Sequence, residues 1–255
     1  MRRLYTMSKR VILCLTLSLG VLIAVAQPDR KVQNRPYTDL RPFHFGVLLG
    51  THMQDIELNN VGLQRIPSED GSMTEALITA EQNRWDAGLT VGVLGEFRID
   101  TYFQFRIAPA MYFGNRHLTY RNLHDQDKTG RPLEQRQDMK TAYISTAFDL
   151  IFAAPRFNNR RPYLMVGLTP MINLSKQGDQ LIALKRHDTF AEIGIGCDIY
   201  LQYFKLRPEL KFMYGLTNSY DAKHASTVKD KNMLPYTHSV DRAQSKMIVL
   251  SFYFE

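Results

Sequence analysis

The sequence predicts an all-β fold, an eight-stranded antiparallel up-and-down transmembrane β-barrel, and three observations carry that expectation. Stretches of alternating apolar and polar residues recur along the chain, roughly at 43–53, 85–98, 101–112, 139–152, 161–174, 188–201, 203–216 and 243–254. The connections between them alternate, long after the first, third, fifth and seventh and short after the second, fourth and sixth, as in outer-membrane barrels. No uncharged run after Ala26 is long enough for a membrane-spanning helix. An integral protein built this way has to cross with strands, and only a closed barrel then satisfies its backbone.

The chain opens with Arg2, Arg3, Lys9 and Arg10, followed by an uncharged run from Val11 to Ala26 that ends in Ala24-Val25-Ala26. That layout is a secretory signal, and at 16 residues the run falls short of the about 20 a spanning helix needs. Cleavage is expected between Ala26 and Gln27. Cys14 lies inside the run without a lipobox, which leaves Cys197 as the one thiol of the mature chain and allows no internal disulfide. Without the four signal cations the formal charge of +7 falls to about +3, with no basic cluster, so nucleic acid is not an expected partner. Residues 27–42 carry four basic residues among three prolines and no periodicity. They read as an extended periplasmic lead-in to a single barrel domain over 43–255.

Within the strands the two faces separate. In 203–216, Leu206, Pro208, Leu210, Phe212 and Tyr214 share one face, while Lys205, Arg207, Glu209 and Lys211 share the other. The segment 188–201 sets Ile193, Ile195 and Cys197 against Glu192, Gly194, Gly196 and Asp198, and the last strand sets Ile248, Leu250, Phe252 and Phe254 against Met247, Val249, Ser251 and Tyr253. Alternation alone does not say which face points inward, since a soluble lipocalin-like carrier has the same period with an apolar interior. The glycines on the polar face, the one-sided loop lengths and the aromatic residues at strand ends favour the membrane version. Trp85, Tyr163, Phe252 and Phe254 are the expected girdle and C-terminal aromatics. An even strand number puts both mature termini on the short-turn side, which faces the periplasm. Pro109, Pro170 and Pro208 fall mid-strand, where a closed barrel has no free edge, so bulges or local breaks are expected.

The inward face carries Glu96, Arg106, Asp149, Glu192, Asp198, Lys205, Arg207, Glu209 and Lys211. An eight-stranded interior is just wide enough for side chains, and charges survive burial there only when paired. A salt-bridge network that plugs the lumen follows. Other chemistry finds little support. Asp125-Gln126-Asp127-Lys128-Thr129-Gly130 opens like a calcium loop, but position twelve is Arg136 where a bidentate Glu is needed. The histidines form no i, i+4 pair, and His44 and His52 fall on the inward face. His187-Asp188 lacks a marked nucleophile, as no Gly-x-Ser-x-Gly occurs. Neither enzymatic activity, nor a cofactor, nor a small-molecule substrate is expected.

Several segments resemble one family: Arg41-Pro42-Phe43-His44-Phe45-Gly46, Arg161-Pro162-Tyr163-Leu164, Glu192-Ile193-Gly194-Ile195-Gly196, Tyr203-Phe204-Lys205-Leu206-Arg207-Pro208-Glu209-Leu210-Lys211-Phe212 and the terminal Phe252-Tyr253-Phe254-Glu255. They look like the PorT-family outer-membrane proteins of Bacteroidetes. The likeness runs over nearly all of the mature chain, and its most distinctive piece is 203–212. It implies a non-enzymatic component of the type IX secretion system, with outer-membrane lipid and other secretion components as partners and an assembly or scaffold role. The family supplies no catalytic residues to carry over. A stand-alone adhesive or porin-like barrel is the alternative.

Overall fold

In the computed structural model the described residues are 32–67, 73–126, 132–175, 180–226 and 234–255. The signal segment and the calcium-like loop fall outside them, except for the loop's flanking residues. Among these residues ten strands form: β1 (Phe43–Asn60), β2 (Leu63–Pro67), β3 (Met73–Glu81), β4 (Asp86–Arg98), β5 (Phe103–Gln126), β6 (Pro132–Ala153), β7 (Arg160–Asn173), β8 (His187–Tyr200), β9 (Lys205–Gly215) and β10 (Val240–Phe254). Eight of them, all but β2 and β3, are the expected staves. Each pairs antiparallel with its sequence neighbour, and β1 closes the ring against both β4 (Leu48↔Gly92) and β10 (Leu48↔Tyr253).

The alternation fixes the side-chain directions. On β8, β9 and β10 the apolar rows face out, with Ile193, Ile195, Leu210, Phe212, Leu250 and Phe252 exposed, while the polar rows are buried inside. A soluble carrier would show the opposite, because exposed apolar rows on every wall cost free energy in water and gain it in lipid.

Two regions expected as loops are instead strand. β5 and β6 run 24 and 22 residues, well beyond the apolar belt, and remain paired from Phe103↔Phe152 to Asn122↔Leu133. β2 and β3 form a hairpin inside the long connection after β1, and β3 joins β5 at Ile78↔Asn122. Apolar periodicity marks only the belt; above it the ladder continues on backbone hydrogen bonds, which hydropathy does not report. The remaining long connections fold over this end. Leu181, Ile182, Leu184 and Tyr220 pack with Ile56, Ile78, Leu118 and Tyr120 into an apolar cap, and Gln137 Oε1 accepts the amide of Leu181 at 2.8 Å.

The three prolines each interrupt the ladder on one side without shifting the register. Between β4 and β5 the pairing skips from Gly92↔Ala110 to Gly95↔Ile107 around Pro109. Between β6 and β7 it skips from Ser145↔Met171 to Phe148↔Leu168 around Pro170. Between β8 and β9 it skips from Gly196↔Glu209 to Ile199↔Leu206 around Pro208. A missing proline N–H removes one bond, so these are local breaks rather than bulges.

The lead-in is not extended where it is described. Thr38–Leu40 forms a 3-10 turn, and the chain from Asn34 to Pro42 is tied to the short-turn end of the barrel. Asn34 donates to Asn159 Oδ1 at 2.8 Å and to the Tyr200 carbonyl at 3.0 Å, Arg35 donates to the Glu255 carbonyl at 3.0 Å, and Arg98 N donates to the Pro42 carbonyl at 3.0 Å. Lack of periodicity hid this, because side-chain to backbone hydrogen bonds need none.

Candidate functional site: the charged lumen

The lumen is built by strand parity. Each inward position alternates with a lipid-side residue, so a charge at every second position of β9 places Lys205, Arg207, Glu209 and Lys211 in one column, each 2% exposed or less. Across the ladder, Glu96 of β4 faces Arg106 of β5, which faces Asp149 of β6. Asp149 and Glu192 then flank Gly167 of β7. A Cβ at Gly167 would press on Asp149 Oδ1 and lie 2.7 Å from the Phe148 carbonyl, so glycine makes room for the Asp149 carboxyl.

The charges meet in three groups. In the middle, Arg106 Nε donates to Asp149 at 2.8 Å and its Nη2 donates to both Glu209 oxygens at 2.8 and 3.0 Å. Glu209 also accepts from Tyr163 at 2.8 Å and from Tyr253 at 2.9 Å. The Arg106 guanidinium lies 4.5 Å from the Tyr253 ring centre. Toward the short-turn end, Arg207 bonds both Glu96 and Asp198 and lies 3.5 Å from Glu255, which pairs with Lys205. Toward the long-loop end, Lys211 stands 3.2 Å from Glu192. All nine charged residues named from the sequence lie in the lumen, 4% exposed or less.

Two further layers carry polar groups, among them the inward-facing His44 and His52 expected from the sequence and others, such as Arg116, Gln54 and Arg156, that its alternation did not mark. Arg116, fully buried, donates to Gln54 Oε1 at 3.3 Å, and Gln54 Nε2 donates to Thr141 at 2.9 Å. His52 shares a 2.9 Å hydrogen bond with Thr90, and His44 Nδ1 lies 3.6 Å from Glu255. At the short-turn end Arg156 stacks 3.6 Å from the Tyr200 ring centre and donates to the carbonyls of Asn34 and Arg35. The Tyr200 hydroxyl donates to Asp39.

Tyr163 is a correction. It is 4% exposed and points into the lumen, because it shares parity with Arg161 and Met165 while Leu164 and Val166 take the outer face. Phe252 is exposed, Phe254 is half-buried with its ring 6.0 Å from Phe204, and Trp85 is half-buried just before β4. The outer aromatics at the short-turn end were missed: Phe45, Phe97, Tyr102, Phe103 and Phe152 are exposed there. Carrying parity to the edges of each strand finds them, and finds Glu255, the inward residue after Tyr253.

A family profile described as the outer membrane protein beta-barrel domain matches residues 25–221. The chain belongs to that family. This outer-membrane β-barrel protein is therefore integral to the membrane, with its outer rows in lipid. Among solved structures it is similar to OprG of Pseudomonas aeruginosa, at 10% identity and a TM-score of 0.46, covering 82% of this chain and 93% of that one. Neisserial surface protein A (NspA) follows at 11%, 0.41, 84% and 98%, and Ail of Yersinia pestis at 10%, 0.36, 84% and 99%. These values are too low to add to the family assignment. No curated protein matches.

With the lumen filled by ion pairs, tyrosines and methionines such as Met213 and Met247, both fully buried, the barrel wall and its two ends are the surfaces offered to other molecules. Among the described residues no group of three or more His, Cys, Asp or Glu side chains is placed to hold a metal ion.

Proposed function

We propose that this protein is a non-enzymatic outer-membrane component of the type IX secretion system, needed for export of proteins that carry a C-terminal sorting domain, and that it acts as an assembly factor or scaffold. The system is named by the resemblance of 41–46, 161–164, 192–196, 203–212 and 252–255 to PorT-family proteins. The single observation that favours a scaffold over a channel is the filled lumen, in which Arg106 and Arg207 each bond two carboxylates at full burial. The short-turn end faces the periplasm in this reading, presenting the folded segment 34–42 to partners after signal cleavage at Ala26–Gln27.

The test is a deletion strain with and without a plasmid copy. Cargo bearing the C-terminal signal accumulates unprocessed in the periplasm without the copy and is exported with it. Normal export in the deletion strain removes the secretion role. A second reading, a stand-alone adhesive barrel, draws on the sheet of β2, β3, β5 and β6 that continues above the apolar belt. Intact export together with loss of surface binding on trimming 63–81 would favour it.

A further inference from the structure

The outer wall has a concavity of about 620 Å³ across β7, β8 and β9, edged by Phe152 of β6 and Leu250 of β10. That size falls within the about 300–1,000 Å³ typical of small-molecule sites. Its outer lining is apolar, with Leu164, Ile195 and Leu210 each about half exposed. Pro162, Pro208 and Cys197 also line it, and it lies where the β8–β9 ladder is interrupted. Pro208 brings no N–H, so the Cys197 carbonyl opposite loses its ladder donor, and the strands leave a recess where a regular wall would be flush.

One residue pair nearer the short turns, Arg160 projects from β7 on the same outer face as Pro162 and Leu164. It is exposed and has no ion-pair partner among the described residues. Aromatic side chains at the same level, Phe157 and Tyr203, are exposed as well, which places Arg160 at headgroup depth rather than in the hydrocarbon.

We propose that the recess and Arg160 together form a binding site for one anionic phospholipid, an acyl chain lying in the recess and the phosphate on the Arg160 guanidinium. The outward lining is apolar apart from the Cys197 thiol and suits hydrocarbon, while Tyr163 and Glu209 behind it are buried and turned to the lumen. A cation at the recess's headgroup end matches an anionic lipid, and a guanidinium binds phosphate oxygens bidentately. The site depends on the barrel standing in a bilayer and holds whichever side the short turns face. With those turns periplasmic, the lipid belongs to the phospholipid leaflet.

The folded protein is placed in nanodiscs of equimolar phosphatidylglycerol and phosphatidylcholine with identical chains, and the lipid retained on release is identified by native mass spectrometry. The expected result is one retained lipid, with phosphatidylglycerol preferred at least fivefold. Arg160→Gln brings the preference to parity. Ile195→Trp, a lipid-facing change that fills the recess, abolishes retention, and Leu164→Trp does the same by a second route. A heat-dependent gel shift verifies the barrel in each variant. Folded wild type that retains no lipid or both lipids equally overturns the proposal, as does unchanged retention in both tryptophan variants. Cross-linking of a protein to a photoreactive residue at position 164, with no lipid retained, gives the recess to a partner and also overturns it.

Discussion

Substituting Arg207→Ala tests whether the lumen charges hold the barrel together. Arg207 is fully buried and bonds Glu96 and Asp198 directly, with Glu255 3.5 Å away. Removing one partner of a buried ion pair costs about 3–5 kcal/mol, chiefly because the charge left behind is neither solvated nor paired. Here Glu96 and Asp198 both lose their direct ion-pair partner, while Glu255 keeps Lys205, so the upper part of that range applies. With a urea slope of about 2 kcal/mol per molar, the unfolding midpoint falls by roughly 2 M. The assay is urea unfolding in phosphatidylcholine vesicles, followed by the fluorescence of Trp85, the chain's one tryptophan, and by gel mobility without boiling. Arg207→Leu combined with Glu96→Gln and Asp198→Asn recovers most of the loss, since it removes the stranded charges along with their partner. A shift in Arg207→Ala under about 0.25 M, or roughly 0.5 kcal/mol, refutes the reasoning and means that water solvates these carboxylates.

Tyr253→Phe removes one hydrogen bond to Glu209; bonds to charged groups contribute about 1.5–3 kcal/mol, and the same urea series reads the loss. Gly167→Ala forces a methyl against the Phe148 carbonyl and the Asp149 carboxylate, an overpacking cost of about 1–3 kcal/mol, whereas Gly62→Ala, open on all sides but at φ 90°, strains only its own backbone and leaves the lumen charges paired. Pro208→Ala supplies the missing amide opposite Cys197, so hydrogen exchange should find a protected amide at 208 and slower exchange at its neighbours; a fully exchanging amide there means the strands stay apart for another reason. Wild type in planar bilayers should give no steady ion conductance, and ohmic openings in most insertions would contradict a filled lumen.

The barrel was legible because a membrane wall makes parity a strong signal: a residue on β8, β9 or β10 faces either lipid or a crowded interior, and no third environment exists between them. The same logic placed Glu96, Arg106 and the β9 column correctly. It failed where parity was not carried through. The position of Tyr163 near a strand end and its aromatic ring suggest the girdle, yet its register with Arg161 and Met165 sends the hydroxyl to Glu209. Above the apolar belt the pattern changes character. Leu118 and Tyr120 face an apolar cap, but Thr119 between them is buried as well and His117 pairs with Asp86, so clean alternation is lost and the high polar content reads as loop. The lead-in segment has no period at all. Its folding depends on partners more than a hundred residues away, Asn159, Tyr200 and Glu255, and no local pattern reports those.

The two ends of the barrel are closed by different physics, and this bears on which end can respond to a partner. At the long-loop end the closure is apolar: Leu118, Tyr120, Ile182 and Ala243 are fully buried, and opening it would expose the whole cluster at about 25 cal/mol per Å². At the short-turn end the segment from Asn34 to Pro42 is held by hydrogen bonds and by Asp39, which lies 3.7 Å from Arg156 and 3.9 Å from Arg161 while remaining partly solvated. Such partly exposed contacts contribute only about 0.5–1.5 kcal/mol each, and water replaces them readily once they part. Tyr37 and Leu40 of this segment are exposed, so a partner can engage it before it detaches. Arg156→Ala removes its bonds to the Asn34 and Arg35 carbonyls and the stack on Tyr200 together, and should let chymotrypsin cleave after Tyr37 or Leu40 while the barrel stays folded and heat-shifted on gels. Equal resistance in variant and wild type would mean that the remaining ties, Arg35 to Glu255 and Arg98 to Pro42, suffice to hold it.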